Sequence, residues 1–151
     1  MKSLDGITLA QQERLAFIDF SLNYFGEISR ADLINRFQTG LAAATRDFAT
    51  YKEFAPANLE LIHQSKSYHR TDEFQPLFVH EPEKVLASLA GGFGNGLSSF
   101  GDNSQVCIDA PQLNKPSTNI LSAVMRAISQ KSLLSIEYVS LSSGLSSRTI
   151  V

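Results

Sequence analysis

The chain has 151 residues, 43% of them hydrophobic, with 13 lysines and arginines against 15 aspartates and glutamates. That is apolar material enough for one ordinary domain or two small ones, and it excludes a disordered chain. A net charge of −2 argues against a uniformly basic nucleic-acid binder, and a single cysteine, Cys107, excludes an intrachain disulfide and a multi-cysteine zinc cage.

Residues 1–8 read as a short leader. The opening MKSLDGITLAQQER lacks the continuous apolar core of a signal peptide, and no run approaches the roughly 20 apolar residues that cross a bilayer. A cytoplasmic protein without membrane contact is expected. Leu15, Ile18, Leu22 and Phe25 then mark one helical stripe, and Phe17, Phe20, Ser21 and Tyr24 widen it. This predicts a helix buried on much of its girth and ended by Gly26.

The next stretch, EISRADLINRFQTGLAAATRDFATYK from Glu27 to Lys52, has the pattern of a helix-turn-helix. Ser29 is placed to cap a short helix whose inward stripe is Ala31, Leu33, Ile34 and Phe37. Gln38, Thr39 and Gly40 form the turn, with Gly40 as the residue that tolerates positive φ. In the second helix Leu41, Ala44, Phe48 and Tyr51 point inward. The opposite face carries Ala42, Ala43, Arg46, Asp47 and Thr50, small or hydrogen-bonding side chains that leave little bulk against a groove floor, which suits the DNA major groove. From Ser29 to Arg70 the cations Arg30, Arg36, Arg46, Lys52, Lys66 and Arg70 outnumber the acids Asp32, Asp47, Glu53 and Glu60. A locally positive surface on an acidic chain is therefore expected.

Pro56 closes that helix, Asn58–Ile62 reads as a strand, and the turn His63–Lys66 leads to a second strand, Ser67–Arg70. A hairpin after a helix-turn-helix is a wing. Its tip carries Lys66, with Ser65, Ser67, Tyr68, His69 and Arg70 nearby to meet phosphate or a minor groove. Phe74–His80 is apolar, and Pro82 starts a helix through Val85, Leu86 and Leu89 to Ala90. The run AGGFGNGLSSFGDNS lacks the lysine of a phosphate-binding loop and the GxGxxG spacing, and reads as a mobile linker. Gln105–Ala110 suggests a strand with Cys107 as a small buried apolar residue. Ser117–Lys131 forms the next helix, with Ile120, Leu121, Val124, Met125 and Ile128 as its apolar side. Leu133–Leu141 alternates as a strand, Ser142–Ser146 turns at Gly144, and Arg148–Val151 begins a return strand. A strand stopping there leaves a sheet incomplete, so a truncation inside a β-rich domain is expected.

The segments RLAFIDFSLNYFGEISRADLINRF, AAATRDFATYKEFAPANLEL and FQPLF resemble the winged helix-turn-helix of WYL-domain transcriptional regulators, particularly those linked to bacterial phage-defence loci. VMRAISQKSLLSIEYVSLSSGLSSRTIV is similar to the entry of the WYL domain itself. The resemblance implies an α+β chain in three parts: a winged helix-turn-helix over residues 9–75, a linker helix and loop over 76–115, and the start of an SH3-like β-barrel WYL domain over 116–151. It further implies a homodimeric repressor of a bacterial defence locus that reads an inverted-repeat operator in double-stranded DNA. Its complete WYL domain would sense a ligand, with a nucleotide or nucleic acid as the class. The tripeptide that names that domain would lie beyond Val151, leaving Arg148 as the one contributor to its basic pocket, and the C-terminal dimerisation region that the resemblance implies would lie beyond it as well.

Three functions compete. In the first, Ala42, Ala43, Thr45, Arg46 and Thr50 face the bases, while Ser29, Arg30, Thr39, Lys52, Lys66, Ser67, His69 and Arg70 position the duplex. In the second the winged helix serves protein association alone. An enzyme is the third and weakest: His63, His69 and His80 have no metal-ligand spacing, no HExxH motif or nucleophile elbow occurs, and neither a cofactor nor a metal is expected.

Overall fold

A computed structural model describes residues 6–91 and 117–150 of the chain. The Gly/Ser-rich stretch after Gly91 and the strand expected at Gln105–Ala110, with Cys107, lie outside the described residues.

Helix α1 (Leu9–Tyr24) begins where Gln11 donates its backbone N–H to the Thr8 hydroxyl and ends at Gly26, whose φ of +83° requires glycine. Its apolar residues run almost round the helix because it serves two cores. Leu15, Ile18 and Leu22 pack with Leu33, Phe48, Tyr51, Leu59 and Phe74. Phe20 and Tyr24 turn the other way, onto Val85, Leu89, Leu121 and Met125.

Strand β1 (Glu27–Ser29) follows, then helix α2 (Arg30–Phe37) and helix α3 (Leu41–Phe54). Ser29 caps α2 in a reciprocal box: Asp32 donates its N–H to the Ser29 hydroxyl at 3.2 Å, and the Asp32 carboxylate accepts the Ser29 N–H at 2.7 Å. Leu33 is the buried anchor of α2, while Ala31, expected inward, is exposed. The left-handed residue between α2 and α3 is Gln38, at φ 51°, and not Gly40. Gln38 makes its own cap, its side-chain amide donating to the Asn35 carbonyl at 2.8 Å. Gly40 is extended, at φ −84°, and leads into α3.

Strands β2 (Leu59–Ile62) and β3 (Ser67–Arg70) form the expected hairpin, turning at Lys66 with φ 55°. The sheet has a third member that the sequence pattern hid: β1 pairs antiparallel with β3, Ile28 opposite Tyr68, giving the order β1-β3-β2. Three residues are too few to show a two-residue alternation, and the pairing is decided by what β3 presents. Tyr68 stacks on Phe48 of α3 with ring centroids 4.0 Å apart and planes 9° apart, which joins wing to helix.

Beyond the wing the chain returns across α1. Asp19 of α1, fully buried, accepts hydrogen bonds from the Tyr51 hydroxyl (2.5 Å), the Leu77 N–H (3.0 Å), the Phe78 N–H (3.3 Å) and His80 Nε2 (2.8 Å). His80 is thus an interior residue set against Phe20 and Tyr24. Four donors on one carboxylate offset the cost of burying its charge.

Helix α4 (Pro82–Gly91) and helix α5 (Thr118–Gln130) lie on the second face of α1. Arg126 of α5 donates from Nη1 to the Asn23 carbonyl at 2.7 Å, capping the last turn of α1. Of the five residues expected on the apolar side of α5, Leu121 and Met125 meet α1, whereas Ile120 and Ile128 are 66% and 58% exposed. One neighbouring helix covers only one ridge of side chains. Strands β4 (Leu134–Ser140) and β5 (Gly144–Ile150) form an antiparallel hairpin through Gly144, at φ +69°. The return strand starts earlier than Arg148, and Arg148 itself is exposed on it. The class is α+β with an N-terminal winged helix.

Candidate nucleic-acid interface

The outward face of α3 is where the predicted site stands or falls. At about 100° per residue, Leu41, Thr45, Ala49, Ala42 and Arg46 fall in one arc of roughly 140°, and Ala44, Asp47, Phe48 and Tyr51 in another. The first five are all exposed and the other four all buried. Leu41, expected in the core, is instead 61% exposed, because it sits one step outside the buried arc at the very start of the helix. The Arg46 guanidinium forms no ion pair or hydrogen bond with another described residue, so its donors are free for a partner.

Asp47 does not share that face. It is 1% exposed and paired inward, Arg14 of α1 donating from Nε to Oδ2 at 2.6 Å and from Nη2 to Oδ1 at 3.2 Å, with Gln11 adding a bond at 3.2 Å. A carboxylate on the outward face would repel phosphate, and the Arg14 fork removes that charge while bolting α3 to α1. Ala43 and Thr50 flank this pair, half-buried in the open depression between α1 and α3, and so stand aside from the exposed arc.

The wing offers less than its composition suggests. Lys66 is exposed at the tip. Ser67, expected beside it as a phosphate ligand, is 7% exposed, and its hydroxyl lies 2.6 Å from Ser65 Oγ and 2.9 Å from His69 Nε2. His69 Nε2 also lies 3.2 Å from the Glu27 carboxylate, its register partner on β1. Arg70 is half-buried at the base, its guanidinium 4.8 Å above the Phe74 ring, and burial lowers its pKa somewhat from the usual guanidinium value, with nearby Asp72 opposing. Ser29 is likewise occupied by its own helix cap. Arg30 and Thr39 are half-buried, and Lys52 is exposed on the last turn of α3.

The arrangement therefore brings together Leu41, Ala42, Thr45 and Arg46 on the first turns of α3, with Lys52 further along the same helix. It draws Ser29, Ser67 and His69 into internal hydrogen bonds. Leu41 is the residue that sequence reasoning missed. Its signal was available: it follows Gly40 directly, at a helix start, where a side chain has no preceding turn to pack against. Among the described residues no group of three or more histidine, cysteine, aspartate or glutamate side chains could hold a metal, and no helix is long and apolar enough to cross a membrane.

Comparison with known proteins agrees with this geometry. Residues 10–90 match the family model described as the BrxR transcriptional regulator winged helix-turn-helix domain. The chain is 30% identical over 149 residues to the DNA-binding transcriptional repressor CapW of Escherichia coli (strain KTE188), covering 93% of this chain and 49% of that protein. It is 28% identical over 149 residues to CapW of Pseudomonas aeruginosa, covering 93% and 48%. With CapW of Stenotrophomonas maltophilia the identity is 37% over 67 residues, 44% of this chain and 22% of that one. The chain spans about half the length of the curated relatives that it matches over 149 residues. A tri-helical core, a three-stranded wing sheet and a family match across both place the chain in the BrxR family of winged helix-turn-helix transcriptional regulators.

Proposed function

We propose that the chain is the DNA-binding part of a sequence-specific transcriptional repressor, with residues 9–75 as the reading unit, 76–115 as a linker and 116–151 as the entry to a WYL-type sensing domain. The observation that carries this reading is the free Arg46 guanidinium on an exposed, small-residue stretch of α3, with the neighbouring Asp47 carboxylate turned inward and paired with Arg14. Small neighbours let the helix approach a groove floor, and a guanidinium can meet guanine O6 and N7 with two parallel bonds. Lys52 and Lys66 supply phosphate contacts. The names of the relatives support the same reading.

The full regulator works as a cytoplasmic homodimer on an inverted repeat, represses a bacterial defence locus, and is released when its completed SH3-like WYL barrel takes a nucleotide or nucleic-acid ligand. It performs no catalysis. A dyad-related pair of α3 helices would occupy half-sites about one helical turn apart.

The test is titration of the chain against its own upstream promoter fragments at two salt concentrations. Retardation that weakens steeply with salt, and that Arg46→Ala loses by roughly 10- to 100-fold, is expected. Absence of any shift at either salt would overturn the reading and leave a winged helix used for protein association.

A further inference from the structure

We infer that Leu41, with the Ala42 and Thr45 methyl groups beside it, is a thymine-reading surface that sets sequence preference next to the base read by Arg46. The inference rests on α3 entering the major groove and adds what it reads there.

Leu41 is the first residue of α3 and keeps 61% of its surface in solvent although its side chain is as apolar as any in the core. The buried arc of α3 begins only at Ala44. Thr45, one turn later, spends its hydroxyl proton on the Leu41 carbonyl at 2.8 Å, so it has no proton left to donate and carries a methyl beside that hydroxyl. Ala42 presents a methyl between them and is also exposed. The side chains at the leading end of the helix thus form a largely apolar strip, bordered by Arg46. Among the base edges of the major groove, the thymine C5 methyl is the apolar group. Phosphates and the other base edges would leave Leu41 hydrated or strip water from polar atoms without replacing it. The half-site that satisfies this surface carries one or two thymines adjoining the guanine taken by Arg46.

The test uses the 151-residue chain to select its preferred duplex from a random pool, followed by replacement of each selected thymine with deoxyuridine, which deletes the methyl and preserves every hydrogen-bonding group. Wild type is expected to bind about three- to fivefold more weakly for each contacted methyl removed, the scale of one buried methylene. Leu41→Ala and, as a second variant, Leu41→Gln are expected to lose that penalty at the contacted position and to retain normal urea stability, since the side chain is exposed. Arg46→Ala should keep the penalty while losing overall affinity. Tight binding by wild type without methyl sensitivity, or an unchanged penalty in both Leu41 variants, would overturn the thymine reading and leave DNA binding by α3 intact. Recovery of no preferred sequence and no retarded duplex would remove the underlying DNA-binding reading as well.

Discussion

Arg14 and Asp47 form a two-point ion pair, 2.6 Å from Nε to Oδ2 and 3.2 Å from Nη2 to Oδ1, that fastens α3 to α1. It holds the Asp47 charge behind the face that carries Arg46, so that one interaction serves both rigidity and electrostatics. Arg14→Ala leaves a carboxylate of 2% side-chain exposure with Gln11 alone. The expected loss is about 3 kcal/mol of folding stability, the low end for a broken buried pair because the Arg14 side chain stays 20% exposed. Urea unfolding measures it, and Arg14→Lys should restore only part because an ammonium lacks the fork. A variant as stable as wild type would show that the pair contributes nothing net.

Tyr24 and Tyr51 are both fully buried and should respond in opposite ways to loss of the hydroxyl. Tyr51 donates to Asp19 at 2.5 Å and accepts from Asn58 at 3.0 Å, so Tyr51→Phe leaves two buried groups short of a partner. A cost of about 2–3 kcal/mol is expected. The Tyr24 hydroxyl is buried without a partner among the described residues, so Tyr24→Phe should be neutral or slightly stabilising. Equal destabilisation by the two changes would contradict this account of the Asp19 centre.

Alkaline titration provides a separate check. Burial, reinforced by the negative charge of Asp19, pushes the Tyr24 phenol up to about 12, and the same two causes, in the same order, raise Tyr51. An unfolded tyrosine ionises near about 10. The folded state therefore holds these protons more tightly, and the stability they confer is fully present below about pH 10. It is lost as pH rises from there through about 12. Tyrosinate absorbance should show late ionisation coincident with loss of helical circular dichroism. Early, non-cooperative ionisation of every tyrosine would contradict burial of this pair.

Gly26 joins α1 to β1 at φ +83°, its carbonyl accepts the Arg70 N–H at 2.8 Å, and a Cβ added there would run into the Gln130 amide of α5. Gly26→Ala is expected to cost about 1–2 kcal/mol from backbone strain alone, plus whatever displacement of Gln130 adds. Gln130→Ala in the same chain should return the second part and not the first. Full rescue would show that strain at Gly26 is negligible.

Salt dependence separates the two exposed lysines, on α3 and the wing tip, from the occupied wing residues. Lys52→Ala and Lys66→Ala should each lower the slope of log affinity against log salt by about 1. Ser67→Ala and His69→Gln should leave it unchanged, since their side chains are spent within the sheet. A fallen slope in the Ser67 variant would return that residue to the interface.

The helices α1 to α3, the Ser29 cap and the β2–β3 hairpin were legible from the chain because each rests on a local rule: apolar spacing, a hydroxyl before a helix, a polar turn between short apolar runs. The positive charge around the candidate site was legible for the same reason. Which cations and hydroxyls remain free was not. Arg46 and Asp47 are adjacent in sequence, yet one is open and the other is closed, because α1 brings Arg14 to the second alone. Leu41 reads as core by periodicity, but a residue at a helix start has no turn ahead of it, and here it keeps 61% of its surface exposed. His80 and Asp19 are 61 residues apart and find each other only when the chain returns over α1. Amino-acid order alone determined the winged helix, since periodicity and caps act within a few residues. The tertiary structure decided which of its polar groups are satisfied internally, and hence which can meet DNA, because hydrogen bonds and ion pairs depend on distances in space that sequence separation does not encode.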